Sequence, residues 1–178
     1  HPPMDLNRYL AKDIELSRAL RIPESRQALK RVAAVFAHSA DSWFWLAGLF
    51  LFWILGLPVP WPQIALLILS ILITATGVLL LKFLIKRPRP PGEWGEVYRK
   101  SDPHSFPSGH AARAVLLSVL TLLLGYPLVG LLLAVWAVLV ILARIGLGVH
   151  YLSDTIVGGL IGLFSGSILF ALYQFLMH

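Results

Sequence analysis

From residue 42 onward the chain is a series of long apolar runs separated by short breaks, whereas residues 5–38 interleave apolar and charged positions. Five runs stand out, at about 42–57, 63–85, 109–125, 128–147 and 155–177. A bilayer core takes roughly 17–25 apolar residues per helix, so each run predicts a membrane-crossing helix, the first and third at the short end. Trp43, Trp45, Trp53, Trp61 and Tyr126 fall near the ends of the runs, where aromatic residues line the membrane boundary. The connections at 58–62 and 126–127 contain proline and are very short, so the helices they join run antiparallel. Gly158, Gly159, Gly162 and Gly166 offer the fifth run a small-residue face for close packing.

The N-terminal stretches "LNRYLAKDIELSRAL" and "SRQALKRVAAVFAH" repeat apolar positions at helical spacing between charges. They are too polar to span and predict amphipathic helices at the membrane interface, the alternative being a solvated tail. The expected fold is all-α: a polytopic membrane helix bundle of about five transmembrane helices plus N-terminal amphipathic interfacial helices. One integral membrane domain covers 1–178, with interfacial helices in 5–38 and the transmembrane bundle in 42–177. The "HPP" ahead of Met4 reads as an expression remnant.

Composition sharpens this picture. Of 178 residues, 57% are hydrophobic and 13% charged, about half the charged share of a soluble domain. The chain has no cysteine, which removes disulfides and thiolate metal sites. Fifteen Lys and Arg against nine Asp and Glu leave a charge of +6, suited to anionic lipid surfaces or phosphate. Nucleic acid is a poor fit, because the charge sits on hydrophobic segments. Lys and Arg are absent from 32–81, 114–143 and 145–178. With five spans, the N-terminal segment, the 86–107 loop and the 148–154 turn share one side of the membrane, and all the basic residues lie near it.

Three segments on that side carry unusual chemistry. "KFLIKRPRP" closes the second run with Lys82, Lys86, Arg87 and Arg89; "PSGH" opens the third with Ser108, Gly109 and His110; "ARIGLGVHYLSD" brings Arg144, His150 and Asp154. Any one of these groups alone is explained by side chains snorkelling to the surface. Two histidines, an aspartate and several cations converging from three helix ends are not. Lys and Arg pair with phosphate, Arg through two parallel hydrogen bonds. Ser108 suits a helix N-cap, and the N–H groups of Gly109 and His110 then point out of the helix start as an anion site. Glycine there lets a ligand approach the backbone. His150 and Asp154 lie four apart and share a helical face, so the carboxylate can hold one ring nitrogen and leave the other free to attack. His110 is the candidate general acid. Two histidines and an aspartate could also ligate a metal, but the surrounding cations oppose it.

The three segments together resemble the type 2 phosphatidic acid phosphatase (PAP2) superfamily, which shares its site with the vanadium haloperoxidases. The family pattern K-x6-R-P is met by Lys82, Arg89 and Pro90, P-S-G-H by Pro107 to His110, and S-R-x5-H-x3-D by Arg144, His150 and Asp154. Ala143 stands where the family usually has serine, so one hydroxyl donor is missing. The resemblance covers roughly residues 82–154 directly. It implies that Lys82, Arg89, Arg144, Ser108 and the Gly109 and His110 amides bind the phosphoryl oxygens. It also implies that His150 forms a phosphohistidine, that Asp154 orients it, and that His110 protonates the leaving oxygen. No metal or cofactor is called for, since cations and a helix N-terminus already neutralise the developing charge.

The implied partner is a phosphorylated membrane lipid: lipid A 1-phosphate, phosphatidylglycerophosphate or undecaprenyl pyrophosphate. Arg113, one turn beyond His110, is a candidate second contact to the head group, with Lys86 or Arg87. Two other functions fit the same residues, a non-catalytic anionic-lipid-binding membrane protein and a vanadate-dependent haloperoxidase-like enzyme. The expected location is the inner membrane, multi-pass. Two arguments oppose each other on orientation. The positive-inside rule puts the basic side in the cytoplasm; the resemblance implies a site facing the periplasm and the outer leaflet, and this is the expectation adopted.

Overall fold

The computed structural model describes residues 6–92 and 102–177. Seven helices occupy most of these: α1 (Leu6–Ala19), α2 (Gln27–Ser39), α3 (Ser42–Ile54), α4 (Trp61–Ile85), α5 (Gly109–Leu123), α6 (Pro127–Gly146) and α7 (Leu152–Met177). The described residues form no sheet, only an isolated antiparallel bridge between Pro88 and His104. The all-α membrane bundle read from the apolar runs is what the chain adopts.

The runs differ in length, as the short first and third ones lead us to expect. Among the described residues α4, α6 and α7 are long and apolar enough to cross a membrane; α2 and α3 together make a fourth candidate, bent by 56° at their junction. Alone, the 13 residues of α3 rise about 20 Å, short of a hydrocarbon core of about 30 Å. α5 has 15 residues, bounded by the Ser108 cap and by Gly125 at φ 90° ahead of Pro127. It packs against α4, α6 and α7, and Ala111, Ala112, Arg113, Ala114, Leu116, Leu117, Ser118 and Leu120 are buried around its circumference. The main apolar core joins its Leu116, Leu117 and Leu120 to Leu66 and Ile71 of α4. α5 is the central post of the bundle.

The outer helices invert the usual rule. Leu128, Leu131 and Leu132 of α6, Leu80 and Leu84 of α4, and Phe164, Ile168 and Phe175 of α7 are exposed, as lipid-facing side chains should be. Glycines set how closely α7 approaches the post. A Cβ on Gly158 would lie 2.4 Å from the Ser108 carbonyl oxygen, and one on Gly162 2.1 Å from that of Ala112. Gly159 is different: its Cβ would meet Val115 at an ordinary 3.7 Å, so it faces slightly away from the seam. Thr74 Oγ1 hydrogen-bonds Ser165 Oγ at 3.1 Å, pinning α4 to α7.

The N-terminal helices are more tightly built in than an interfacial pair. Tyr9, Leu16, Val32 and Val35 are exposed, as a membrane-surface face requires. The opposite faces dock. Ala33 and Ala37 of α2 pack on Ala143, Leu147 and Val149 at the end of α6. On α1, Ser17 Oγ accepts the backbone N–H of Leu152 at 2.8 Å, and Asp13 Oδ1 accepts that of Ser153 at 3.0 Å. α1 thereby caps the start of α7 from outside, satisfying N–H groups that the helix cannot.

Candidate active site

Three helix ends meet on the side where α1 docks. α4 ends at Lys86, whose left-handed backbone (φ 51°) turns the chain into "RPRP". α5 begins at Ser108, whose hydroxyl accepts the Ala111 N–H at 3.4 Å, a long but recognisable N-cap. The Ser108 N–H donates to the Asp154 carbonyl oxygen at 2.9 Å, fastening the start of α5 to the first turn of α7.

His150 is almost completely buried at the end of the α6–α7 turn. Its Nδ1 lies 3.6 Å from Asp154 Oδ2, the side the four-residue spacing predicts. This is longer than a hydrogen bond, and a shift of about half an ångström would form one, as catalytic contacts commonly tighten on binding substrate. On the other side, Nε2 lies 3.4 Å from Arg89 NH1. Asp154 is itself held: Oδ2 accepts the Tyr151 N–H at 2.8 Å, and Oδ1 accepts Arg87 NH1 at 2.7 Å. Burial and the charges of Arg144, Arg89 and Lys82 push the His150 pKa well below its ordinary value, so the ring is neutral. A neutral imidazole keeps a lone pair for attack.

The cations line the same space. Arg89 NH1 donates to the Val149 carbonyl at 2.9 Å, fixing the guanidinium beside His150. Arg144, in the last turn of α6, is fully buried, and its charge acts on Lys82, His110 and His150 together. Lys82 Nζ donates to the His104 carbonyl at 3.1 Å. One carboxylate oxygen, Asp102 Oδ2, is held by both Lys82 and Arg89 NH2, the latter at 2.7 Å. An anionic oxygen thus sits where two cations converge beside an imidazole. This is the geometry a phosphoryl oxygen needs.

A profile of the PAP2 superfamily matches residues 63–177, from α4 to the end of α7. The chain belongs to the PAP2 superfamily. Two solved structures carry the same architecture. The "first transmembrane PAP2 type phosphatidylglycerolphosphate phosphatase from Bacillus subtilis" aligns over 96% of this chain and 89% of that one, with a TM-score of 0.73 and 24% identity. Aquifex aeolicus LpxE aligns over 87% of this chain and 92% of that one, with a TM-score of 0.67 and 27% identity. The alignments extend well beyond the three motifs, taking in helices whose sequence carries no signature.

The structure brings Lys82, Arg89, His110, Arg144 and His150 within reach of one another's charge, with Asp154 beside His150 and the start of α5 at Ser108 and Gly109 fastened to Asp154. The candidate head-group contacts Arg87 and Arg113 border this site with protein partners of their own. Arg87 turns the other way: NH1 bonds Ser153 Oγ and Asp154 Oδ1, both at 2.7 Å, NH2 bonds Asp13 Oδ2 at 2.6 Å, and the guanidinium lies 4.0 Å over the Tyr151 ring. It supports Asp154 from behind. Arg113 is buried, and its Nε donates to the Ala40 carbonyl at 2.6 Å, where α2 ends. Lys86 is exposed beyond the end of α4.

Several polar residues around the site escaped the sequence reading, among them Asp13, Ser17, Asp41 and Asp102. Asp13 and Ser17 are one turn apart on α1, and nothing local marks them as partners of a turn about 140 residues away. Asp102 precedes "PHSFPSGH" closely enough that proximity to the motif was a usable signal. Asp41 is the lone carboxylate between residues 25 and 92, and that isolation was the clue. Its Oδ1 lies 2.7 Å from His110 Nε2.

Proposed function

We propose that this PAP2 protein is a metal-independent lipid phosphatase that hydrolyses a phosphomonoester or pyrophosphate on a lipid head group through a phosphohistidine. The observation that carries the reading is the environment of His150: a neutral, buried ring with Nε2 toward Arg89 and Nδ1 toward Asp154. Lys82, Arg89, Arg144 and the amides at the start of α5 take the phosphoryl oxygens in place of Asp102. His150 Nε2 attacks phosphorus; the P–N bond forms as the bond to the leaving oxygen breaks, and His110 gives that oxygen its proton. Asp154 holds the Nδ1 proton and stabilises the positive ring. Water then attacks the phosphohistidine, passing a proton to His110 as its oxygen bonds phosphorus and the P–N bond breaks. Inorganic phosphate leaves and His150 is restored. The cations supply the charge stabilisation for which many phosphoryl-transfer enzymes use magnesium.

A lipid substrate suits a site set at the end of an apolar bundle. A cavity of about 660 Å³ runs between α3, α4, α5 and α6, lined by Trp43, Phe44, Leu67, Leu124 and Leu133 among others. On α4, α5 and α6 its lining lies at the helix ends remote from Lys82, His110 and Arg144, so it is an apolar space within the bundle and no part of the phosphate pocket. Lipid A 1-phosphate, phosphatidylglycerophosphate and undecaprenyl pyrophosphate are the substrates proposed. Phosphate release from these and from phosphatidic acid in detergent micelles, with folded His150→Ala as the control, tests the reading. Turnover by wild type, absent in the variant, with an acid-labile phosphoprotein on rapid quench, is expected. Near-normal turnover by folded His150→Ala overturns it.

We place the protein in the inner membrane with the site facing the periplasm. Lys82, Arg89 and Arg144 are poor indicators of orientation because they serve phosphate. Ser25→Cys, in the exposed connection between α1 and α2 of this cysteine-free chain, gives the test. Labelling by an impermeant thiol reagent in intact spheroplasts supports the placement, and labelling only after lysis reverses it.

A further inference from the structure

The junction of α2 and α3 stands directly against the start of α5. Asp41 occupies the N-cap position of α3, where an aspartate ordinarily accepts one of the first N–H groups of its own helix. It makes no such bond. Its carboxylate is spent instead on two imidazoles: Oδ1 lies 2.7 Å from His110 Nε2 and Oδ2 lies 3.5 Å from His38 Nδ1. A capping residue that gives up its cap for a histidine of the active site calls for a reason.

The junction is also held firmly. Arg113, three residues beyond His110 on α5, donates to the Ala40 carbonyl at 2.6 Å. Trp45 Nε1 donates to the Ser39 carbonyl, and Trp136 Nε1 to the Ser39 hydroxyl, both at 2.9 Å. α3, α5 and α6 therefore each fix the short stretch that presents Asp41, and the arm from α5 comes from the turn that carries His110. Carboxylate and ring are placed by one rigid unit.

We propose that Asp41 is the positioning residue of His110: it holds a proton on Nε2, fixes the ring's orientation, leaves Nδ1 to deliver the proton to the leaving oxygen, and stabilises the imidazolium before transfer. This rests on the reading of His110 as general acid given above. The proton balance is simple. When substrate phosphate offsets the charges of Arg144 and Arg113 and the ring is protonated, it carries protons on both nitrogens, gives the Nδ1 proton to the leaving oxygen, and recovers it from the attacking water. Asp41 keeps the Nε2 proton in place throughout, as a carboxylate does for a ligating or catalytic histidine elsewhere. It acts through the imidazole and touches no reacting atom.

A general acid matters only when the leaving group needs a proton. An alkoxide leaving from phosphatidic acid does; the phenolate of 4-nitrophenyl phosphate does not. The experiment compares kcat/KM on these two substrates for wild type, His110→Ala, Asp41→Ala and Asp41→Asn in the same detergent. For phosphatidic acid His110→Ala is expected to lose about 10²–10⁴-fold, and each Asp41 variant about 10- to 100-fold, the worth of one hydrogen bond to a charged group. On 4-nitrophenyl phosphate all three are expected to lose several-fold less. Asn keeps the shape of the contact and removes its charge, so Asp41→Asn covers the case in which Asp41→Ala disturbs the junction. Equal losses on both substrates in the Asp41 variants, beside a selective loss in His110→Ala, would show that Asp41 merely holds the junction and overturn the inference. Equal losses in His110→Ala would instead remove the general-acid reading on which it stands.

Discussion

Asp13 is far from His150 in the chain and touches no part of the phosphate pocket, yet its removal should slow catalysis. Its Oδ1 accepts the Ser153 N–H at 3.0 Å, and its Oδ2 accepts Ser153 Oγ and Arg87 NH2, both at 2.6 Å. Arg87 in turn holds Asp154 Oδ1. Asp13→Ala deletes the external cap of α7, about 1 kcal/mol. It also deletes a charge-assisted bond to Arg87, about 1.5–3 kcal/mol. The two side chains are 13% and 14% exposed, so water replaces part of the lost interaction, and a total of about 2–3 kcal/mol is reasonable. This falls on the docking of α1 and on the orientation of Asp154 rather than on the bundle core. At 1.36 kcal/mol per decade it amounts to about 30- to 150-fold in the docking equilibrium. Two readouts follow. Limited proteolysis should cut between α1 and α2 much faster in the variant, and kcat on phosphatidic acid should fall about tenfold or more while KM changes little. Asp13→Asn should lie between, since it can still accept from Ser153. If Asp13→Ala keeps kcat within twofold and its wild-type protease resistance, α1 does not support the site and the chain of contacts through Arg87 carries no weight.

Two further outcomes test the packing and the charge state. Gly162→Ala should prevent folding or strip α7 from the post, because its Cβ would lie 2.1 Å from a backbone oxygen; Gly109→Ala should fold, meeting only Val78 at 3.4 Å, and raise KM, which detergent-resistant thermal melting and kinetics would separate. A folded, fully active Gly162→Ala protein would contradict the seam. The depressed His150 pKa has a definite sign: the unfolded histidine, near 6.5, takes up its proton first, so this group's stabilising contribution is intact above that pH and is lost as pH falls from there toward the folded pKa. Nitrogen NMR of the imidazole, assigned with His150→Gln, should show no titration at or above 6.5; a ring that protonates there would mean that burial and the three cations do not act as described.

The proposed catalytic set is legible in the sequence because PAP2 motifs are local. Lys82 and Arg89 lie seven apart, Ser108 to His110 are contiguous, and Arg144, His150 and Asp154 lie within eleven residues, so spacing alone places each group on a helix end. Apolar runs of membrane length likewise needed no tertiary information, since the bilayer reads composition before packing. What the chain alone could not show was which elements become interior. α5 is the buried post, yet its apolar run reads along the chain as one more span. α1 and α2 have the pattern of surface helices, but an amphipathic face does not say whether it meets lipid head groups or another helix. Only the fold brought Asp13 to Arg87 and Asp41 to His110, pairs separated by 74 and 69 residues. Which partner each carboxylate finds leaves no local trace, because a partly buried ion pair is specified by where distant segments arrive. The proposed nucleophile and its cations follow from residue order; the carboxylates that hold them in place follow from the packing of the bundle.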